Sequence, residues 1–201
     1  MRQLKVIRKP IELIRENKKA FILMNAVFYG LFLLSMLVTC FFPELQVKAI
    51  DSANQQLSSP WLESTAVSAY TSGNILLASL LTFLVNLILG TILTMTGPSL
   101  VIPFIGLFMG LYRAIFWGMA FAPLEYQAML IPHYLTLLIE GQAYVFVMLA
   151  IYLQGKSFLF PKSIGIKSCW SGYKHGFIQT AWLYVPIVVL LLVGVFTKPG
   201  N

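Results

Sequence analysis

Five long apolar runs organise the chain: residues 21–42, 74–96, 99–122, 128–153 and 177–197. A helix needs about 20 residues to cross about 30 Å of hydrocarbon, and each run is close to or above that length. The pattern predicts an all-α fold, a polytopic membrane bundle of about five transmembrane helices. The first run exceeds the roughly 7–15 residues of a signal-peptide core and lacks a small-x-small cleavage site, so a retained helix is expected. Gly97-Pro98 separates the second and third runs and predicts a tight hairpin turn, with Pro98 in the first turn of the next helix. Pro123 ends the third run. Pro132 and Pro186 fall inside the fourth and fifth, where prolines usually mark kinks.

Charge gives the bundle a direction. Arg2, Lys5, Arg8, Lys9, Arg15, Lys18 and Lys19 precede the first run, and Lys156, Lys162, Lys167 and Lys174 lie between the fourth and fifth. With five spans these segments share one side. The other side holds only Lys48 and Lys198 as bases, with Glu44, Asp51, Glu63 and Glu125. By the positive-inside rule the N-terminus is cytoplasmic. The chain divides into a basic cytoplasmic segment, 1–20, and a transmembrane helix-bundle domain, 21–201. Within 1–20, Ile7, Ile11, Leu13 and Ile14 could form an apolar stripe on the membrane surface, but the preferred reading is a short basic flank that only fixes topology. Segment 43–73 is polar enough for water. Pro60-Trp61 is expected to open a short helix there, with Trp61 as an interfacial anchor.

Composition agrees with lipid. Of 201 residues, 58% are hydrophobic and 10% charged, against roughly 25% charged in soluble domains. Mean hydropathy is +0.80, more apolar surface than a small soluble domain can hide. The net charge of +7 sits in two blocks rather than along a groove, which argues against nucleic acid as a partner. The lipid bilayer is the first partner, with other membrane or envelope proteins expected and a homo-oligomer compatible. Cys40 and Cys169 fall on opposite sides, so no disulfide is expected between them, and no zinc spacing occurs.

Two fully ionisable charges lie inside the spans, Arg113 and Glu140. Each costs about 2.5–3.5 kcal/mol at the bilayer centre on insertion scales. His133 lies seven residues before Glu140, about two helical turns, so both share a face with Thr136 and Tyr144. Asn86 falls near mid-depth on the second span. These six residues form a candidate polar seam. One reading is functional: a proton relay, an ion path or a substrate contact. The other is structural: Arg113 paired with Glu140 or His133 to fix helix registry. Gly106 and Gly110 form a G-x-x-x-G pair suited to close helix packing, inside the bundle or between copies. No G-x-S-x-G elbow, H-E-x-x-H pair or phosphate-binding loop occurs, so neither an enzyme nor a cofactor or metal site is expected.

From Asn74 onward, about two-thirds of the chain, the order of features resembles the stage II sporulation protein M family of bacterial membrane proteins. The resemblance lies in Asn74-Ile75-Leu76-Leu77-Ala78 opening a span, a short turn, and the glycine-rich Gly106-Leu107-Phe108-Met109-Gly110. It continues in Pro132-His133 with a glutamate further along the helix, and in the ending Val193-Gly194-Val195-Phe196-Thr197-Lys198-Pro199. The family usually has glycine directly after the histidine and its glutamate four residues on. Here Tyr134 follows His133, and Glu140 is seven residues on. The resemblance implies five spans and a scaffold-like role. In spore formers the namesake belongs to a membrane complex that recruits peptidoglycan-degrading proteins. The leading expectation is a non-enzymatic, multi-pass protein of the bacterial inner membrane that scaffolds or recruits partners, without carrying over sporulation itself. The competing one is a small transporter or channel component using the polar seam.

Overall fold

The computed structural model describes residues 2–57, 74–124 and 130–197, and their side chains except at 2–5, 56, 57, 75 and 130–133. Every regular element among the described residues is helical: α1 (Arg2–Glu16), α2 (Lys18–Phe41), α3 (Glu44–Leu57), α4 (Ile75–Leu84), a π-helical stretch Val85–Thr96, α5 (Gly97–Val101), α6 (Ile105–Ala120), α7 (Leu130–Leu159) and α8 (Cys169–Phe196). α4, the π stretch and α5 follow without a break. Four helices are long and apolar enough to cross a membrane: Lys18–Phe41, Leu76–Val101, Tyr134–Leu159 and Cys169–Phe196. The expected third span is represented by α6, at 16 residues, or about 24 Å. Trp61 and the helix expected after Pro60 lie outside the described residues.

Several boundaries differ from the sequence reading. The turn after the second span is not at Gly97-Pro98 but at Ile102-Pro103-Phe104. Pro103 disfavours the helical region for its predecessor, and Ile102 is extended at φ −113°, ψ 99°. Phe104 then reverses the chain from the left-handed region, φ 70°. Pro98 continues the helix because Gly97 before it has no Cβ to clash with the proline ring. Pro132 lies in the first turn of α7, where a missing N–H costs nothing, rather than inside the span. α8 starts eight residues earlier than the apolar run, with Ser168 as its cap: its Oγ accepts from the Ser171 N–H at 3.2 Å. The α7–α8 connection is therefore short, a 3₁₀ turn Pro161–Ile164 closed by Gly165 at φ 76°. At 30 residues, α7 is about 45 Å long, more than about 30 Å of hydrocarbon requires, and Lys156 lies in its last turn. Helical hydrogen bonding continues past the point where apolarity stops.

α7 is the central pillar. Its Ala143, Tyr144, Val145, Val147, Leu149 and Ala150 are fully buried, enclosed by α2, α6, α8 and the π stretch. α8 packs most extensively on α7, and α2 on α6. α6 is fitted by a small-residue stripe, Gly106, Gly110, Ala114 and Gly118, all buried. Successive members of a four-residue repeat drift by about 40° around a helix, so the stripe meets different neighbours. A Cβ at Gly106 would strike the Met95 carbonyl and, at 2.6 Å, Ile151 Cδ1; one at Gly110 would lie 2.8 Å from Met148 Sδ; one at Gly118 would strike Phe32 O and Ser35 Oγ on α2. The G-x-x-x-G pair thus serves packing inside this bundle.

The two ends of the bundle differ. At one end the start of α2, the end of α7 and the start of α8 meet: Glu16, Asn17, Lys156, Ser157, His175 and Gln179 surround a common polar pocket. The Phe104 turn packs on Gly155 at this end. α1 folds back on α8 with Leu13 buried, while Ile7 and Ile11 remain exposed. Arg8 and Lys9 pair with Glu12 at 2.6 and 2.8 Å, and their hydrogen bonds, Lys9 first, hold the Glu12 carboxyl below its ordinary pKa. At the other end α3 covers α6. Gln46 Nε2 donates to the Ala120 and Ala122 carbonyls at 3.1 and 2.9 Å, satisfying acceptors that a helix end leaves open. Tyr134 Oη donates to Phe121 O there at 3.0 Å.

Candidate functional site: a closed polar seam

The seam begins with side-chain geometry on α7. Thr136, Glu140 and Tyr144 repeat every fourth residue, and all three are buried. The same 40° drift carries this face from α8 toward α6 and the π stretch. Thr136 Oγ1 meets Thr197 Oγ1 at 3.1 Å beyond the last turn of α8. Glu140 lies against Gly194 of α8, where an added Cβ would be 2.7 Å from Glu140 Cγ. Tyr144 turns to the opposite neighbours. Arg113 Nη1 of α6 donates to Tyr144 Oη at 2.6 Å, and the guanidinium lies 4.4 Å from the ring centroid. A hydrogen bond and a cation–π contact therefore act on one cation. Trp117, one turn along α6, meets Tyr144 edge-on at 5.2 Å and 84°.

Gly90 of the π stretch closes the site from the third side. A Cβ there would be 2.6 Å from Tyr144 Oη and 3.1 Å from Arg113 Nη1. π-helical geometry is rare and concentrates at functional or strained sites. Here it runs for 12 residues, and Thr91 and Thr94 donate to the Leu87 and Gly90 carbonyls at 2.6 and 2.8 Å. A second polar bridge joins this stretch to α8: Thr96 Oγ1 and Tyr184 Oη are 2.7 Å apart, with Thr91 Oγ1 3.5 Å from the same hydroxyl.

The structure places Thr136, Glu140 and Tyr144 along successive turns of α7 and sets Arg113 of α6 against Tyr144. Arg113 reaches Tyr144, and Glu140, one turn before Tyr144 on α7, lies against Gly194 of α8. His133 belongs to α7, but its side chain lies outside the described residues. Asn86 is half-buried on the π stretch, one turn from Gly90. Sequence reasoning missed Gly90, Gly194, Trp117 and Tyr184. The available signal was weak: two glycines at helix-interior positions and two amphipathic aromatics, all common in membrane helices. Gln154, also unforeseen, is buried on α7 and donates to Tyr173 O at 3.4 Å, with its Oε1 unbonded among the described residues.

The arrangement joins α6, α7 and the π stretch at Tyr144 and places a cation and a carboxyl within the bundle. Among the described residues, no three His, Cys, Asp or Glu side chains gather to hold a metal ion. Comparison with models of known protein families, with curated proteins and with solved structures finds no match.

Proposed function

We propose that the chain is a five-crossing protein of the bacterial inner membrane, with its basic end in the cytoplasm, acting as a non-enzymatic scaffold or recruitment component of a membrane complex. The observation that carries this reading is the closure of the seam. Arg113, Trp117 and Gly90 each meet Tyr144, and Glu140 is packed on Gly194, so the intramembrane polar groups act in joining helices. The resemblance to the stage II sporulation protein M family supplies the role. The fifth crossing is supported by α6, which runs from Phe104 beside Gly155 to Phe121 beside Tyr134. On α7 those two levels are separated by about 30 Å, the depth of the hydrocarbon.

Affinity purification of the tagged chain from its native membrane tests the role. A stoichiometric protein partner is expected, and a chain that purifies alone while reconstituted vesicles show solute flux would replace this reading with the transporter one. That second reading is favoured by one observation, the burial of Glu140 near mid-depth, one turn from the Arg113–Tyr144 pair. Topology is tested separately. Reporters at the N-terminus and near Gly165 should both be cytoplasmic and one after Asn201 periplasmic, and an N-terminus and Gly165 on opposite sides would remove the α6 crossing.

A further inference from the structure

A cleft of about 470 Å³ opens on the surface between α2, α6 and α7, near the basic end. Its walls are apolar: Leu23, Val27, Leu107, Leu111 and Met148, with the ring of Tyr152. On α2 the lining residues Lys19, Leu23 and Val27 repeat every fourth residue. The face therefore leads from a charge in the first turn to apolar side chains about 6 and 12 Å deeper. Leu23 and Val27 are 62% and 37% exposed, so the cleft opens toward the surrounding lipid. Lys19 is exposed at the mouth, and Lys156 adds a second cation, its Nζ 5.7 Å from the Tyr152 ring centroid.

We propose that this cleft binds one anionic phospholipid of the cytoplasmic leaflet, its acyl chain between α2 and α6 and its phosphate on Lys19, with Lys156 nearby. Charge complementarity selects this occupant: the cation–apolar order along α2 matches the headgroup–tail order of a lipid in that leaflet. The inference uses only the cytoplasmic placement of the basic end, which the reporter at Gly165 tests independently, and not the scaffold role.

The test is native mass spectrometry of the full chain released from nanodiscs of phosphatidylcholine and phosphatidylglycerol, counting single-lipid adducts. The phosphatidylglycerol adduct should dominate over the phosphatidylcholine one. Lys19→Gln should lower that preference about fivefold, the size of one lysine's contribution beside an anionic surface. Lys167→Gln, an exposed lysine of the α7–α8 connection, should leave it unchanged. Leu107→Trp, which fills the cleft, should reduce both adducts. Equal preference in Lys19→Gln and Lys167→Gln would overturn the site in favour of diffuse attraction. So would adducts unaffected by Leu107→Trp, or a second protein chain bound in place of lipid.

Discussion

α2 and α7 are both long enough to cross a membrane, yet they meet different surroundings. In the most apolar 18-residue window of α2 17% of residues are buried, against 67% in that of α7, and the α2 window is the more apolar. α2 shows Ile22, Leu23, Leu33, Leu34 and Leu37 to the outside, whereas α7 encloses Thr136, Glu140, Gln154 and Ser157. In water the more apolar helix would be the buried one. Lipid removes that ordering, because its tails are as apolar as leucine and reward no helix for hiding. Small residues that allow close approach and polar groups that need partners decide which helix goes inside.

The contrast predicts where substitutions matter. The largest effect is expected from Gly118→Leu. A side chain there enters the Phe32 carbonyl and Ser35 Oγ of α2, and overpacking against backbone costs about 1–3 kcal/mol or more. Leu34→Ala, on the exposed face of α2, should leave thermal unfolding in detergent nearly unchanged. Equal sensitivity of the two sites would break the comparison.

Tyr144→Phe should rank next. It removes the hydroxyl that receives Arg113, and leaving a part-buried donor unmet costs about 1–3 kcal/mol. Tyr112→Phe, on the exposed side of α6, serves as the control. Combining Tyr144→Phe with Arg113→Gln should recover part of the loss, and a double-mutant cycle with no coupling would separate Arg113 from Tyr144 energetically. A smaller coupling is expected between Gly194→Ala and Glu140→Ala. The alanine methyl would press on Glu140 Cγ, and shortening that residue makes room. Unfolding of the two single variants and the double variant should deviate from additivity by at least about 0.5 kcal/mol.

The smallest effect concerns α1. The Glu12 carboxyl has its pKa lowered by hydrogen bonds from Lys9 and Arg8. Its contribution is fully present above the ordinary carboxylate pKa and is lost as pH falls through the lowered folded value. Hydrogen-exchange protection of α1 should therefore fall slightly once pH drops below the ordinary carboxylate range, while α7 stays protected. Glu12→Gln should remove that dependence.

The sequence alone determined the all-helical class and the four long apolar helices. Hydropathy and helix length are properties of each segment against its solvent, and neither needs a neighbour. The shared face of Thr136, Glu140 and Tyr144 was legible for the same reason, since helical period fixes it locally. The turn at Ile102 was within reach of local rules too, because Pro103 restricts its predecessor as Pro98 does not restrict a glycine. Only the tertiary structure decided which helix α7's polar face meets at each level, that Arg113 reaches Tyr144, and that Gly90 makes the space for that pair and Gly194 the space for Glu140. Those facts depend on the rotation and depth of each helix relative to the others. In lipid a uniformly apolar helix carries little record of its rotation, so the π stretch and the partners of the seam emerge only once the helices are packed.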